Sequence, residues 1–266
     1  MIPLFGLGIA REEQFSLLPS EIPEEFSFLE IPGGLLDQTA VVSRLKQLSV
    51  KQQKALVIRD LMPPYLVDGA ITSALRLKIE FDNEFRRRCQ LASSLGCRVV
   101  SMNFHIERAL NEADFNERLV RMLLSMAGTL EEMKLLLALP CRVPNVLGAA
   151  APSAFLAFKH RLFYPGFRYR TDFHFEDPHA FEQLAAGQDF LKFERNFWRI
   201  SYLPQMDSEL DAAVLESLRP YWNPQGRRPV FVCIDPGVAV PDELMIRQVS
   251  SLIRDFTKKD SGDGKN

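Results

Sequence analysis

Eight short apolar runs, stopped by charged or turn-forming residues and spaced by amphipathic stretches, set the limits on what this chain can fold into. They cover Ile2–Ile9, Phe26–Ile31, Ala55–Ile58, Arg98–Phe104, Leu135–Val143, Phe167–Phe173, Phe197–Leu203 and Pro229–Ile234. Short, nearly continuous apolar runs bounded by turn residues fit strands buried on both faces, as in a parallel sheet. The stretches between them carry helical periodicity. Gln38–Val50 places Val41, Val42, Leu45 and Leu48 on one face, and Phe81–Leu95 opposes Phe85, Leu91, Ala92 and Leu95 to Arg86, Arg87 and Arg88. Further helices are predicted over Phe115–Met126, Glu131–Leu137, Ala154–Phe163, Asp177–Ala185, Asp207–Leu218 and Asp242–Phe256. Eight alternating units in 266 residues predict an α/β fold, a closed (β/α)8 TIM barrel in preference to an open doubly wound sheet. With no interdomain linker in view, one domain is expected over residues 1–256, followed by a polar, frayed tail over 257–266.

Composition narrows the partners. The net charge of −2 and a pI near 6.1 give no electrostatic sign of nucleic-acid binding. No run of 18 apolar residues suggests a membrane span. The opening MIPLFGLGIA has no basic residue ahead of it and runs into Arg11, Glu12 and Glu13, which fits a first strand better than a signal peptide. Cys89, Cys97, Cys141 and Cys233 form no CxxC pair and read as buried thiols of a reducing compartment. A cytoplasmic protein with a small-molecule partner is expected; oligomeric state is not legible.

Barrel enzymes of this type build their sites at the carboxyl ends of the strands. The polar residues there are Glu30 on the second strand, Arg59 and Asp60 on the third, and Asn103 and His105 on the fourth. The fifth offers Arg142 and Asn145; the sixth Asp172, His174 and Glu176; the seventh Ser201, Tyr202 and Gln205; the eighth Asp235. Strand ends meet water in any case, so a single polar residue there says little; the group as a pocket lining says more. Period-two geometry puts Asp172 and His174 on one side of their strand, where they would share a metal or a proton. Arg142, at the end of a buried strand, needs an anionic partner: Asp172, Glu30, Asp235 or a substrate carboxylate or phosphate. Gly6-Leu7-Gly8 is a weak dinucleotide-binding signal, since Arg11 stands where the third glycine belongs.

Several segments resemble the xylose isomerase-like barrel superfamily, which includes sugar-phosphate isomerases and epimerases and endonuclease IV-type repair enzymes. FRRRCQLASSLGCRVVSMN (Phe85–Asn103) is similar to its third helix and fourth strand. FSFLEI (Phe26–Ile31) resembles its second strand, FRYRTDFH (Phe167–His174) its sixth and PVFVCID (Pro229–Asp235) its eighth. The resemblance implies a divalent metal held by acids and His on strands five to eight, and proton transfer through an enediolate. The chain departs from that pattern. Cys141-Arg142-Val143 stands where a strand-five Glu belongs, Ile200-Ser201-Tyr202-Leu203 where a His and an acid are common, and Asp235 where Glu is usual. A dication beside Arg142 would meet a like charge, so no residue is assigned to metal and no cofactor is counted as certain.

The expectation is therefore a sugar-phosphate isomerase/epimerase-like protein acting on a sugar or sugar acid with an altered metal site. Asp172, His174 and Glu30 are the catalytic candidates, and Arg142, Asn103, His105, Tyr202 and Asp235 the substrate-binding ones. The alternative is an inactive barrel that binds a carbohydrate or anion. An endonuclease is disfavoured by a count of four histidines.

Overall fold

The structure is a computed structural model describing residues 4–9, 15, 18–72, 75–142, 152–174, 197–201, 212–213, 215–216, 219, 231–235 and 243–262. Eight parallel strands close into a barrel in chain order: β1 (Leu4–Gly8), β2 (Phe26–Pro32), β3 (Ala55–Arg59), β4 (Val99–Ser101), β5 (Leu136–Arg142), β6 (Phe167–His174), β7 (Phe197–Ser201) and β8 (Phe231–Asp235). β8 pairs with β1 and completes the ring. The helices are α1 (Thr39–Lys51), α2 (Pro64–Ile71), α3 (Leu75–Ser94), α4 (Ile106–Asn111), α5 (Ala113–Glu132), α6 (Pro152–Arg161) and α7 (Glu243–Gly262), with a 3-10 turn at Gly33–Asp37.

Several local expectations change. α2 is not among the helices predicted from the sequence; it starts at Pro63-Pro64, with proline in its first turn, where the missing N–H costs nothing. The helix expected over Glu131–Leu137 does not form: α5 stops at Glu132, Lys134 takes a positive φ, and β5 begins at Leu136. The tail expected to fray at residue 257 is helical as far as Gly262. The helices read at 177–185 and most of 207–218 lie outside the described residues.

Period-two alternation divides the strand side chains into two apolar cores. Leu29, Ile31, Leu56, Ile58, Val100, Leu137, Leu139 and Trp198 face outward into the large core shared with the helices. Phe28, Val57, Val99, Ala138, Phe197 and Cys233 form a separate cluster that fills the barrel floor, with Phe231 packed against it. The Phe28, Phe197 and Phe231 rings meet edge to face, with centroids 5.9–6.4 Å apart.

Gly6 and Gly8 belong to this interior and make room in it. A Cβ on Gly6 would stand 2.2 Å from the Phe28 ring, and one on Gly8 3.0 Å from the Asp235 Cβ. The GxG pattern thus has a packing cause inside the barrel. Gly6→Ala is expected to cost about 1–3 kcal/mol, the usual range for overpacking a filled core, measured as a lower urea midpoint.

Candidate active site: an ion network inside the barrel mouth

One layer above the aromatic floor the inward-facing residues change from apolar to charged. Continuing the alternation from Phe28, Val57, Val99, Phe197 and Cys233 brings Glu30, Arg59, Ser101, Arg199 and Asp235 inward from β2, β3, β4, β7 and β8. Arg170 and Asp172 join them from β6.

Glu30 is at the centre and is fully buried. Its Oε1 accepts a hydrogen bond from Arg199 Nε at 2.7 Å and lies 3.6 Å from Arg59 Nε. Its Oε2 lies 3.4 Å from Arg170 Nη1. From there two arms lead outward. Arg170 donates from Nη1 to Ser101 Oγ (2.9 Å), and from Nε and Nη2 to the two oxygens of Asp172 (2.6 and 2.9 Å), a bidentate fork. Arg199 donates from Nη1 to Ser201 Oγ (3.2 Å) and from Nη2 to Asp235 Oδ2, which Ser201 Oγ also approaches at 3.4 Å. Arg59 reaches the Ile9 carbonyl at 3.1 Å and lies 3.7 Å from Asp60.

Burial of the Glu30 carboxyl works to raise its pKa, but the Arg170, Arg199 and Arg59 guanidiniums outweigh it and hold the group below the ordinary range. Burial likewise works against the charged form of Arg170, and Asp172 and Glu30 reverse the effect, so its pKa is raised. The Cys233 thiol beneath the network is pushed well up, first by burial and then by Glu30.

The structure brings Glu30, Asp172 and Asp235 into one network. Arg142 ends β5 in register with Asp172, and His174 ends β6 in register with Ser201; the side chains of both lie outside the described residues. Asn145, Glu176, Tyr202 and Gln205 also lie outside them. Asn103 and His105 are placed elsewhere: the Asn103 side-chain Oδ1 accepts the His105 backbone N–H at 3.1 Å, and His105 Nε2 lies 3.2 Å from Asp68 on α2. Both are exposed, and none of their described contacts is to the network.

Sequence reasoning missed Arg170 and Arg199. The signal was present, because each is a cation inside a run that must be buried on both faces. That argument was applied to Arg142 and applies equally to FRYRTDFH and FWRIS.

A second charged cluster supports the rim from outside. The buried Arg88 on α3 donates to the carbonyls of Gly33 (2.9 Å) and Leu61 (3.2 Å) and pairs with Asp37 (2.5 Å) and Glu84 (2.6 Å). It thereby ties the turns after β2 and β3 to one helix. Arg88→Ala is expected to cost about 3 kcal/mol, because two carbonyls and two carboxylates lose a buried partner. A guanidinium chloride titration checks it.

No protein-family model matches this chain, and no curated protein does. Solved structures do. D-psicose 3-epimerase, determined in the presence of D-fructose, superposes with a TM-score of 0.62 at 11% identity, covering 96% of this chain and 97% of that one. A xylose isomerase domain protein from Planctomyces limnophilus gives 0.57 at 10% identity, covering 97% and 96%. A family 2 AP endonuclease from Brucella melitensis gives 0.59 at 11% identity, covering 95% and 98%. The fold is a closed (β/α)8 barrel, similar to the barrels of these three structures. Among the described residues no helix is long and apolar enough to cross a membrane.

Proposed function

We propose that this barrel is a carbohydrate isomerase or epimerase of the xylose isomerase-like kind, acting on a sugar or sugar-derived acid with guanidinium groups in place of the usual divalent metal. The observation that carries this reading is the Glu30–Arg59–Arg170–Arg199 cluster at the carboxyl rim. The residues do not suit a dication. Among the described residues no three His, Cys, Asp or Glu side chains converge as a ligand set. Glu30, Asp172 and Asp235 each lie against at least one guanidinium. An ion placed among them would face three fixed cations, a repulsion of several kcal/mol for each at intermediate dielectric.

In this reading the arginines steady the negative charge that develops on a carbonyl oxygen when a proton leaves the neighbouring carbon. Asp172, at the outer end of the Arg170 arm, and His174, two residues further along β6, are the groups assigned to move that proton. Glu30 receives a different role from the one its position at a strand end suggests. Its three guanidinium neighbours and depressed pKa make it a poor base, and it holds the arginines in place. Arg142 is assigned to an anionic group of the substrate.

Purified protein incubated with a panel of ketoses, aldoses and sugar acids in D2O is expected to exchange the proton next to the carbonyl, read by proton NMR. Absence of exchange across the panel would contradict an enzymatic role. The second reading, a barrel that binds a carbohydrate or anion without turnover, is favoured by how fully Arg170 and Arg199 are engaged by the protein's own oxygens. Ligand-induced thermal stabilisation without exchange would select it.

A further inference from the structure

We infer that Asp172 is an internal stand-in for a ligand carboxylate: the Arg170 fork is a carboxylate site that Asp172 closes, and a sugar-acid carboxylate opens it by taking Asp172's place. The inference rests on the proposed reading of the barrel mouth as the ligand site, and narrows it from sugars in general to sugar acids.

The geometry of Arg170 carries the argument. Its guanidinium is buried, and Nη1 is anchored inward on Ser101 and near Glu30. The opposite edge, Nε and Nη2, presents two parallel donors to both oxygens of Asp172. Asp172 is two residues nearer the carboxyl end of β6, so this edge faces the mouth. Planar, two-point donation is the arrangement a free carboxylate takes on arginine.

The network's other carboxylates are poor candidates for exchange. The Asp172 side chain keeps 13% exposure, against 0% for Glu30 and 4% for Asp235. Asp172 also bonds one guanidinium in the described network, whereas Glu30 lies against three. It is the acid that solvent reaches and that leaves at least cost. A monocarboxylate arriving in its place returns one negative charge to Arg170, so the buried cations stay matched. A neutral sugar would leave Arg170 with Glu30 alone, a carboxylate it shares with Arg59 and Arg199, and a phosphate dianion would bring a second negative charge close to Glu30.

Exchange also has a consequence for chemistry. Locked in the fork, Asp172 has both oxygens committed to Arg170. Displaced, it stands at the rim with its lone pairs released, beside the carbon that carries the incoming carboxylate. Binding of the substrate's acid group would thus uncover the base. A tethered carboxylate competes at high effective concentration, so simple acids bind the native protein weakly, and a ligand whose hydroxyls also meet the rim binds better.

Isothermal titration with gluconate, acetate, glucose and inorganic phosphate tests this on the full chain. Gluconate is expected to bind the native protein and glucose not. Asp172→Ala is expected to bind gluconate about tenfold more tightly, since the competitor is gone, and to gain measurable affinity for acetate. Asp172→Asn keeps the side-chain shape and serves if the alanine variant does not fold. Arg170→Lys, checked for folding by circular dichroism, should lose the gain when combined with Asp172→Asn. Gluconate binding no tighter to either Asp172 variant than to the native protein would overturn the inference, as would phosphate binding more tightly than gluconate. Exchange on neutral sugars, with gluconate binding no better than glucose, would sink this inference and leave the isomerase reading standing. Absence of both binding and exchange would remove the two together.

Discussion

Glu30→Gln should be the most destabilising single substitution in the barrel, lowering the unfolding free energy by about 3–5 kcal/mol, the range for breaking a buried ion pair by removing one partner. The carboxylate is fully buried and three guanidiniums converge on it. Glutamine keeps the shape and removes the charge, so Arg59, Arg170 and Arg199 would face one another across a dry interior. Chemical denaturation of the two proteins at neutral pH gives the difference directly. The same group sets a pH dependence. Its folded pKa lies below the ordinary value of 4.5. Its contribution to stability is therefore present above pH 4.5 and is lost as the pH falls through the folded value. Glu84, held at about 2 mainly by its hydrogen bond from Arg87, adds a loss over the same acid range. The native protein should lose stability steeply below pH 4.5, and Glu30→Gln less steeply.

Asp172→Asn is expected to have the largest effect on activity, a fall of about 10²–10⁴-fold in the proton-exchange rate, the contribution usual for a positioned acid or base. Asparagine fills the same space but accepts no proton under these conditions, and it offers the Arg170 fork one acceptor oxygen in place of two. The binding measurements above expect the same class of variant to hold gluconate more tightly. A slower reaction with tighter binding is a combination that simple misfolding would not produce. An unchanged exchange rate in a folded Asp172→Asn protein would remove Asp172 from the chemistry and leave His174 as the candidate.

The barrel was legible because burial on both faces leaves a simple mark, a short apolar run, and seven of the eight runs both begin and end within two residues of the observed strands. β4 was read too long. Asn103 and Phe104 follow the strand in a turn that leads, through the left-handed backbone of His105, into α4. α2 was missed because a proline pair reads equally as a turn and as a helix start. The site was half legible. Glu30, Asp172 and Asp235 stand out as acids at the ends of apolar runs. Arg170 and Arg199 sit in mid-run, where they were absorbed into the strand pattern. Their partners come from β2, β4 and β8, and one sequence does not show which distant acid neutralises which buried base. His105 illustrates the converse: it lies four residues beyond the end of β4, at the start of α4, and its side chain meets Asp68 on α2.

The claim that guanidiniums do the work of a metal in this barrel is tested most directly by the proton-exchange rate on a responsive sugar acid before and after exhaustive chelation. The account predicts the same rate in both samples, with no rise on adding magnesium, manganese or cobalt. A rate that collapses on chelation and returns with a divalent ion would contradict it.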